Sequence, residues 1–232
     1  MNQAAQQIHS KRLKAAAPVS RRLGYAFTKR AFDILFALFM LAVLSPVFLI
    51  AAALAKFQSP GGAFFLGERI GRHGKPFRLV KFRTMVNGAQ NGSAITTADD
   101  QRVTRIGRFL RKTKIDELPN LLNVLTGAMS IVGPRPETPN YAALYSEQDR
   151  RVLNARPGVT GPAQLHLRDE EELLARQPDP EQYYIQRLIP LKLRMDIAYL
   201  ETRTMRKDLY YILRTAGAVL IRFKRKPKEP QP

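Results

Sequence analysis

The stretch ILFALFMLAVLSPVFLIAAALA, residues 34–55, contains 22 consecutive residues without a charge. A straight helix of this length is roughly 33 Å long at ~1.5 Å per residue, enough to cross a ~30 Å hydrocarbon core. The segment is too long, and lies too far into the chain, for the core of an ordinary signal peptide. Length alone therefore favours a membrane-spanning anchor.

Two features favour instead a segment that enters a membrane and returns to the same side. Pro46 stands at its centre and leaves the Ala42 carbonyl without a helical partner, and Ser45 can return one hydrogen bond to an upstream carbonyl. Seven Lys and Arg precede the segment in residues 1–30 and seven follow it in residues 56–83, whereas a simple span has asymmetric flanks. Proline kinks also occur in true spans, so these residues alone leave both arrangements open.

The overall composition limits the remaining chemistry. The chain of 232 residues has a formal net charge of +19, which attracts phosphate in nucleic acid, anionic lipid or nucleotides. It has no Cys, which excludes disulfides and thiolate metal sites, and its three His lie far apart in sequence. No platform of interleaved aromatic and basic residues is found, which argues against a nucleic-acid-binding protein.

Turn residues follow the apolar segment. Gly71 and Gly74 lie between two apolar and aromatic runs, so we predict a β-hairpin over residues 63–70 and 76–82. A loop rich in Gly, Asn, Ser and Thr comes next, and basic residues then recur about every third position, as on one face of a helix. These basic residues are Arg102, Arg105, Arg108, Arg111 and Lys112.

TKIDELPNLL, residues 113–122, places the adjacent carboxylates Asp116 and Glu117 directly after this basic run. Asp116 as the N-cap of a helix that has Pro119 in its first turn is one interpretation. A chemical role is the other: nearby cations would keep Asp116 ionised, an ionised Asp can attack phosphorus, and a neighbouring Glu can hold Mg²⁺. Further on, the prolines of GPRP fix the backbone around Arg135, whose planar fork suits a phosphate.

Three motifs together resemble the bacterial sugar transferases, the monotopic polyprenyl-phosphate phosphoglycosyl transferases. They are KFRTM (81–85), TRIGRFLRKTKIDELPNLLNVLTGAMSIVGPRPE (104–137) and RPGVTGPAQL (156–165), in the order of the family. The resemblance implies transfer of a phosphosugar from a UDP-sugar to undecaprenyl phosphate, with release of UMP, as the first membrane step of glycoconjugate or exopolysaccharide assembly.

The resemblance also implies roles for individual residues. Asp116 is similar to the family nucleophile, which would form a covalent aspartyl-phosphosugar intermediate, and Glu117 to its partner; together they would hold Mg²⁺. Phosphate-binding cations are implied at four positions: Lys81, Arg83, Arg111 and Arg135. Ser45 and Pro46 match the helix break of the family, which favours the re-entrant arrangement, with residues 20 and 90 both on the cytoplasmic side.

We therefore predict an α+β fold that is mainly helical, with a short β-hairpin and an N-terminal re-entrant membrane helix, in a monotopic membrane protein. The predicted organisation, in chain order, is a basic leader, a membrane helix–break–helix, a cytoplasmic catalytic domain, an amphipathic interfacial helix and a basic disordered tail. The corresponding residues are 1–30, 31–56, 57–205, 206–224 and 225–232. The 30 residues before the membrane segment are too few for the multi-spanning region of larger members, so the small catalytic form is expected.

The expected location is the bacterial inner (cytoplasmic) membrane, with anionic phospholipid, a UDP-sugar and undecaprenyl phosphate as partners and no nucleic acid. A homo-oligomer remains open. The C-terminal helix has apolar residues at helical spacing and a basic rim, which suits either the membrane surface or packing on the core. We interpret the acidic run 169–172 as the solvated start of a helix. The sequence after Gly161 departs from that of many family members, so the resemblance assigns no particular sugar.

Two other classes of function are weighed against the enzyme. A membrane-anchored nucleic-acid-binding protein is suggested by the charge, and a non-catalytic membrane scaffold or regulator would not need Asp116 and Glu117 to act with the cations.

Overall fold

The computed structural model describes residues 19–89 and 95–221. Its elements, in chain order, are α1 Val19–Val43, α2 Ser45–Phe57, β1 Phe64–Ile70, β2 Pro76–Phe82, α3 Arg105–Thr113, α4 Asn120–Thr126, β3 Ser130–Val132, α5 Pro139–Ala142, β4 Gly158–Thr160, α6 Pro162–His166, α7 Glu170–Ala175, α8 Pro180–Tyr183, α9 Ile189–Thr202 and α10 Met205–Ile221. Short 3₁₀ turns and one π-helical turn join some of them. The described chain is mainly helical, and the predicted hairpin is confirmed.

Two small sheets accompany the helices. β1 and β2 pair antiparallel, with Phe65 opposite Lys81. β3 and β4 pair parallel, with Ser130 opposite Gly158, and this second sheet was not predicted. Such three-residue strands leave too short an alternation of polar and apolar residues for a sequence pattern to reveal them.

The apolar segment forms a bent helix pair. α1 and α2 meet at an angle of 70°. Ser45 Oγ donates to the Ala42 carbonyl at 2.8 Å, so it supplies the bond that Pro46 cannot make. Among residues 19–89 and 95–221 no single helix is long and apolar enough to cross a membrane, and only the bent pair reaches that length and composition together.

One side of the pair packs on the rest of the chain. Small residues lie at the contact: Ala37 of α1 packs against Val124 and its neighbours, and Ala55 of α2 packs near Phe82. The opposite side exposes large apolar side chains, which are Leu35, Leu38, Phe39, Val43, Val47, Leu49, Ile50, Leu54 and Phe57. An exposed apolar surface of this extent marks a membrane or partner contact rather than a solvated face.

The base of α1 is fastened by buried charges. Lys29 Nζ lies 3.4 Å from Asp33 Oδ1 and 3.1 Å from Asp208 Oδ2 of α10. Arg30 donates to the carbonyls of Val124 at 2.6 Å and Leu125 at 3.0 Å, near the end of α4. Within the described residues, α1 thus includes residues 19–30 of the predicted leader, and Lys29 and Arg30 have their partners inside the protein. Residues 1–18 and 222–232 lie outside the described residues.

The C-terminal helix has two different sides. Asp208 of α10 is fully buried, and Tyr211 and Ile212 pack on the core beside α1. Leu209, Leu213 and Val219 are exposed. Packing on the core is therefore confirmed for one side of the helix, and contact of its exposed apolar side with a membrane surface stays a prediction. The larger apolar core lies beyond it, where α9 packs with residues from α5, α7 and the π-helical turn.

Candidate active site

The acidic pair lies in a tight turn between α3 and α4. Lys114 adopts a left-handed conformation with φ of 60° and ends α3, and the 3₁₀ turn Ile115–Glu117 follows at once. The N-cap position of α4 is Pro119, so the interpretation of Asp116 as its N-cap is wrong. Asp116 is buried, and its Oδ1 has no hydrogen-bond partner. A buried carboxylate oxygen without a donor is costly, which is typical of a group kept for a ligand or for chemistry.

Two cations from different elements hold Glu117. Lys81 Nζ of β2 lies 2.8 Å from Glu117 Oε1, and Arg135 Nη2 lies 3.2 Å from the same oxygen. Arg135 sits between Pro134 and Pro136 just after β3, and its backbone N–H donates to Asp196 Oδ2 at 3.3 Å. The hairpin and the proline-bounded loop therefore meet at Glu117, although they are far apart in sequence.

Burial and charge move the two carboxyl groups in opposite directions. Burial raises the pKa of Asp116, and the positive charge of Lys81 only partly offsets it. Burial also opposes ionisation of Glu117, but Lys81 and Arg135 together outweigh it and hold the pKa of Glu117 well below its usual range. We expected the cations to keep Asp116 ionised. In the structure they act chiefly on Glu117, while burial dominates at Asp116.

The other two predicted cations have different partners. Arg111 Nη2 lies 2.6 Å from Glu171 Oε1, and its Nη1 is 3.4 Å from Thr84 Oγ1. Arg83 is buried, and its guanidinium donates to the carbonyls of Ala55, Ser59 and Pro60 at 3.2, 2.6 and 2.7 Å. Arg83 thus fastens the end of α2 to β2, and its role at a phosphate stays a prediction.

A cleft of about 750 Å³ connects these groups. All six residues predicted for catalysis or phosphate binding line it: Lys81, Arg83, Arg111, Asp116, Glu117 and Arg135. Pockets of roughly 300–1,000 Å³ are typical for small-molecule ligands, so the space suits a nucleotide-sized substrate. The cleft therefore brings cations from the hairpin, from α3 and from the proline-bounded loop to one buried carboxylate.

Several residues of the cleft were missed or misread in the sequence. Glu170 and Glu171 belong to the acidic run that we interpreted as solvated, but both line the cleft and form ion pairs. The run does begin a helix, α7, as predicted, but these two residues are paired with cations at the cleft rather than simply solvated. Glu170 pairs with Lys192, which is buried in α9 and is also near Glu137. A lysine within the apolar run LIPLKL was the available signal, since Lys is rarely buried without a partner.

Within residues 19–89 and 95–221, no cluster of three or more His, Cys, Asp or Glu has the arrangement of a metal site. Mg²⁺ is commonly held by only one or two carboxylates together with substrate phosphates. Asp116 Oδ1 suits such a role because it lacks a partner, whereas Glu117 Oε1 already accepts from two cations. The residues present thus fit a metal ion that binds with its substrate.

The comparison with protein families defines the class. This chain belongs to the bacterial sugar transferase family, whose model matches residues 24–222, so the predicted family is confirmed and the chain is a transferase. It is 37% identical over 222 residues to the UDP-glucose:undecaprenyl-phosphate glucose-1-phosphate transferase of Caulobacter vibrioides, covering 90% of this chain and 75% of that protein. Neither the nucleic-acid-binding class nor the scaffold class describes such a family.

Two other relatives differ in the activity or pathway that their names state. The exopolysaccharide production protein ExoY of Sinorhizobium fredii is 35% identical over 213 residues, which cover 84% of this chain and 86% of that protein. The UDP-N-acetylgalactosamine-undecaprenyl-phosphate N-acetylgalactosaminephosphotransferase of Aeromonas hydrophila is 42% identical over 147 residues, 61% of this chain and 34% of that longer protein. The Caulobacter and Aeromonas relatives are therefore named for different sugars, glucose and N-acetylgalactosamine.

Proposed function

We propose that this chain transfers a phosphosugar from a UDP-sugar to undecaprenyl phosphate and releases UMP. The observation that carries the proposal is Asp116: a buried carboxylate with an unpartnered oxygen, in a cleft lined by cations. The names of the relatives supply the substrate classes, UDP-sugar and undecaprenyl phosphate. Both substrates carry phosphate, which the strongly positive net charge of the chain attracts.

The proposed reaction has two displacement steps at phosphorus. In the first, an oxygen of ionised Asp116 attacks the phosphorus that bears the sugar, and the bond from that phosphorus to the bridging oxygen breaks, so UMP leaves with that oxygen. In the second, an oxygen of undecaprenyl phosphate attacks the aspartyl-phosphosugar. This step frees the Asp116 carboxylate and forms the diphosphate-linked sugar.

The cations of the cleft offset the charge that these steps bring together. Lys81 and Arg135 already hold Glu117 as an anion, which fixes two positive side chains beside Asp116. Arg111 offers a third guanidinium from α3. A carboxylate can approach a diphosphate only when such charges neutralise the repulsion. Glu117 would thus act mainly by orienting its partners.

Mg²⁺ is the proposed cofactor. Asp116 Oδ1 would be one ligand of the ion, and Oε2 of the adjacent Glu117 would be a second. The substrate phosphates would supply the other oxygen ligands. When bound, Mg²⁺ would neutralise phosphate charge during transfer.

The bent pair of α1 and α2 is the proposed membrane anchor. Its bend of 70°, its exposed apolar side and the equal basic flanks support insertion from one side of the inner membrane of a bacterium, with the catalytic cleft in the cytoplasm. Exposed basic residues would contact anionic headgroups at the same surface.

The test is a UMP-release assay in detergent with undecaprenyl phosphate and a panel of UDP-sugars. We expect release that depends on at least one UDP-sugar, on the acceptor for continued turnover, and on Mg²⁺, so that EDTA abolishes it and added Mg²⁺ restores it. Absence of UMP from every member of a broad panel, with protein that is folded by circular dichroism, would contradict the proposal.

A further inference from the structure

One end of the cleft is built from carboxylates around a buried lysine. Lys192 Nζ lies 2.8 Å from Glu170 Oε2, 3.5 Å from Glu137 Oε1 and 2.9 Å from the Tyr184 hydroxyl. Tyr184 in turn donates to Glu137 Oε1 at 2.5 Å. Glu137, Glu170 and Tyr184 line the cleft. We call these four residues the acidic wall.

The stability of the fold does not explain the acidic wall. Buried ion pairs add little net stability, because removing both charges from water offsets most of their attraction. What the arrangement does supply is fixed geometry: Lys192 and Tyr184 hold the carboxylates of Glu137 and Glu170 in place at the cleft. Each carboxylate oxygen has more than one lone pair, so these contacts still leave acceptor capacity for a ligand.

A hydroxyl beside the wall also lacks a partner. Thr138 follows Glu137 and lines the cleft, and its Oγ1 is buried with no hydrogen-bond partner. It precedes α5, but its side chain does not cap that helix. A buried hydroxyl without a partner loses its bonds to water and gains nothing in return. A ligand that donates to it or accepts from it would recover that loss.

The position of the acidic wall relative to the phosphate-binding cations indicates which part of the substrate would contact it. Arg135, which contacts Glu117 beside Asp116, is separated from Glu137 only by Pro136. In the proposed reaction the phosphorus at Asp116 is the one that bears the sugar. The group next to that phosphate is therefore the sugar ring, whose hydroxyls are hydrogen-bond donors that suit carboxylate acceptors.

We propose that the acidic wall and Thr138 form the sugar subsite of the cleft and select a neutral hexose by its ring hydroxyls. This inference rests on the proposed function and goes beyond it, because it assigns sugar recognition to residues that do not take part in phosphate transfer.

The experiment compares the preferred UDP-hexose with its 2-, 3-, 4- and 6-deoxy analogues, in wild type, Glu170→Gln and Thr138→Val. Wild type should discriminate against at least one deoxy analogue by about 10-fold or more, because a polar subsite left unpaired penalises the missing hydroxyl. Each variant should lower kcat/KM for the parent sugar by about 10- to 100-fold and shrink the penalty for that analogue. Inhibition by UDP, which lacks the hexose, should stay within about 2-fold of wild type, the margin left for sites that do not interact.

Matched controls separate recognition from stability. Glu201→Gln removes one partner of a half-exposed ion pair with Arg151. Thr202→Val removes an exposed hydroxyl that donates to the Ala198 carbonyl and accepts from Lys207. Neither residue lines the cleft, and neither variant should change the sugar preference. Thr138→Val keeps the inference testable if Glu170→Gln does not fold. The Thr138 hydroxyl has no partner to lose, so the melting temperature of this variant should not fall.

The outcomes are distinct. Equal loss of UDP and UDP-hexose binding in the variants would assign the wall to the nucleotide, for example to its ribose hydroxyls, and would overturn the inference while leaving the proposed function standing. An unchanged preference among the deoxy analogues in both variants would also overturn it. If wild type turns over no UDP-sugar, the proposed function fails first, and the sugar subsite fails with it.

Discussion

Lys81 Nζ on β2 lies 2.8 Å from Oε1 of Glu117, and this contact ties the hairpin to the turn that carries the acidic pair. Because Arg135 approaches the same oxygen, Glu117 is held as an anion by two cations. Its neighbour Asp116 has a buried Oδ1 with no donor. The pair thus divides into one carboxylate that organises the cations and one that remains available for chemistry.

The first prediction concerns Asp116→Asn. This change keeps the shape of the side chain and removes the nucleophilic charge, so turnover should fall to background while the protein still folds. Radiolabelled UDP-sugar without acceptor should leave label on wild type and none on the variant, and steady-state kinetics of wild type should be ping-pong. Sequential kinetics with no trapped label would instead make Asp116 a base or metal ligand in a direct transfer.

The cations that hold Glu117 give the second prediction. Arg135→Ala should lower kcat/KM by roughly 30- to 1,000-fold, because the loss of a positioned charged donor typically costs about 2–4 kcal/mol in catalysis. Arg135→Lys should recover only part of this, since a single ammonium cannot reproduce the planar fork. The control is Arg151→Ala, which breaks a half-exposed pair with Glu201 away from the cleft. Near-normal turnover of Arg135→Ala would mean that the phosphate lies elsewhere.

Stability against pH gives the third prediction. Burial raises the pKa of Asp116 in the folded state above its unfolded value of about 3.9, so the folded protein binds that proton more tightly. Asp116 therefore lowers the free energy of unfolding as the pH rises from the pKa of Asp116 in the unfolded state to its pKa in the folded state. Above both pKa values this loss has its full size. Asp116→Asn escapes this cost and should melt at a higher temperature than wild type near neutral pH.

The measurement is the melting temperature of wild type and Asp116→Asn across the acidic and neutral range. Their difference should grow as the pH rises and then level off. Glu117→Gln provides the opposite sign: the pKa of Glu117 is lowered, so its contribution is present above the unfolded pKa of about 4.3 and is lost as the pH falls through the folded pKa. That variant should be less stable than wild type near neutral pH. A constant difference for both variants at every pH would contradict the opposite shifts.

The sequence predicted much of this site because long motifs carry it. Lys81, Asp116, Glu117 and Arg135 stand in such motifs, and all four meet in the cleft. Local patterns also predicted the hairpin and the break at Pro46, since both depend on turn residues or a missing N–H.

What the sequence did not reveal depends on contacts between distant segments. Glu170 was interpreted as solvated, but Lys192 of α9 packs against it. The pairing of Lys29 with Asp208 of α10 likewise could not be predicted from the basic run that precedes the apolar segment. The pKa of Asp116 was also expected to follow the nearby cations, because burial cannot be read from charge spacing. All of these differences arise from the packing of segments that are distant in sequence, which supplies partners to Glu170 and Lys29 and burial to Asp116.

The last prediction concerns the bend between α1 and α2. If the pair enters the membrane and returns, the basic N-terminal part of α1 and the residues after α2 lie on the same side of the membrane. The natural absence of Cys permits single-cysteine variants at Thr28 and at His73, both exposed in the structure. Membrane-impermeant maleimide on intact cells should label neither, and both should react once the inner membrane is opened.

Pro46→Leu restores the missing N–H at the break and should favour a straight helix, so a fraction of Thr28→Cys should become reactive from outside. Pro178→Leu, an exposed proline outside the pair, should leave the labelling unchanged. Labelling of Thr28→Cys from outside in the otherwise natural chain, with protection of His73→Cys, would establish a spanning helix and exclude the re-entrant arrangement.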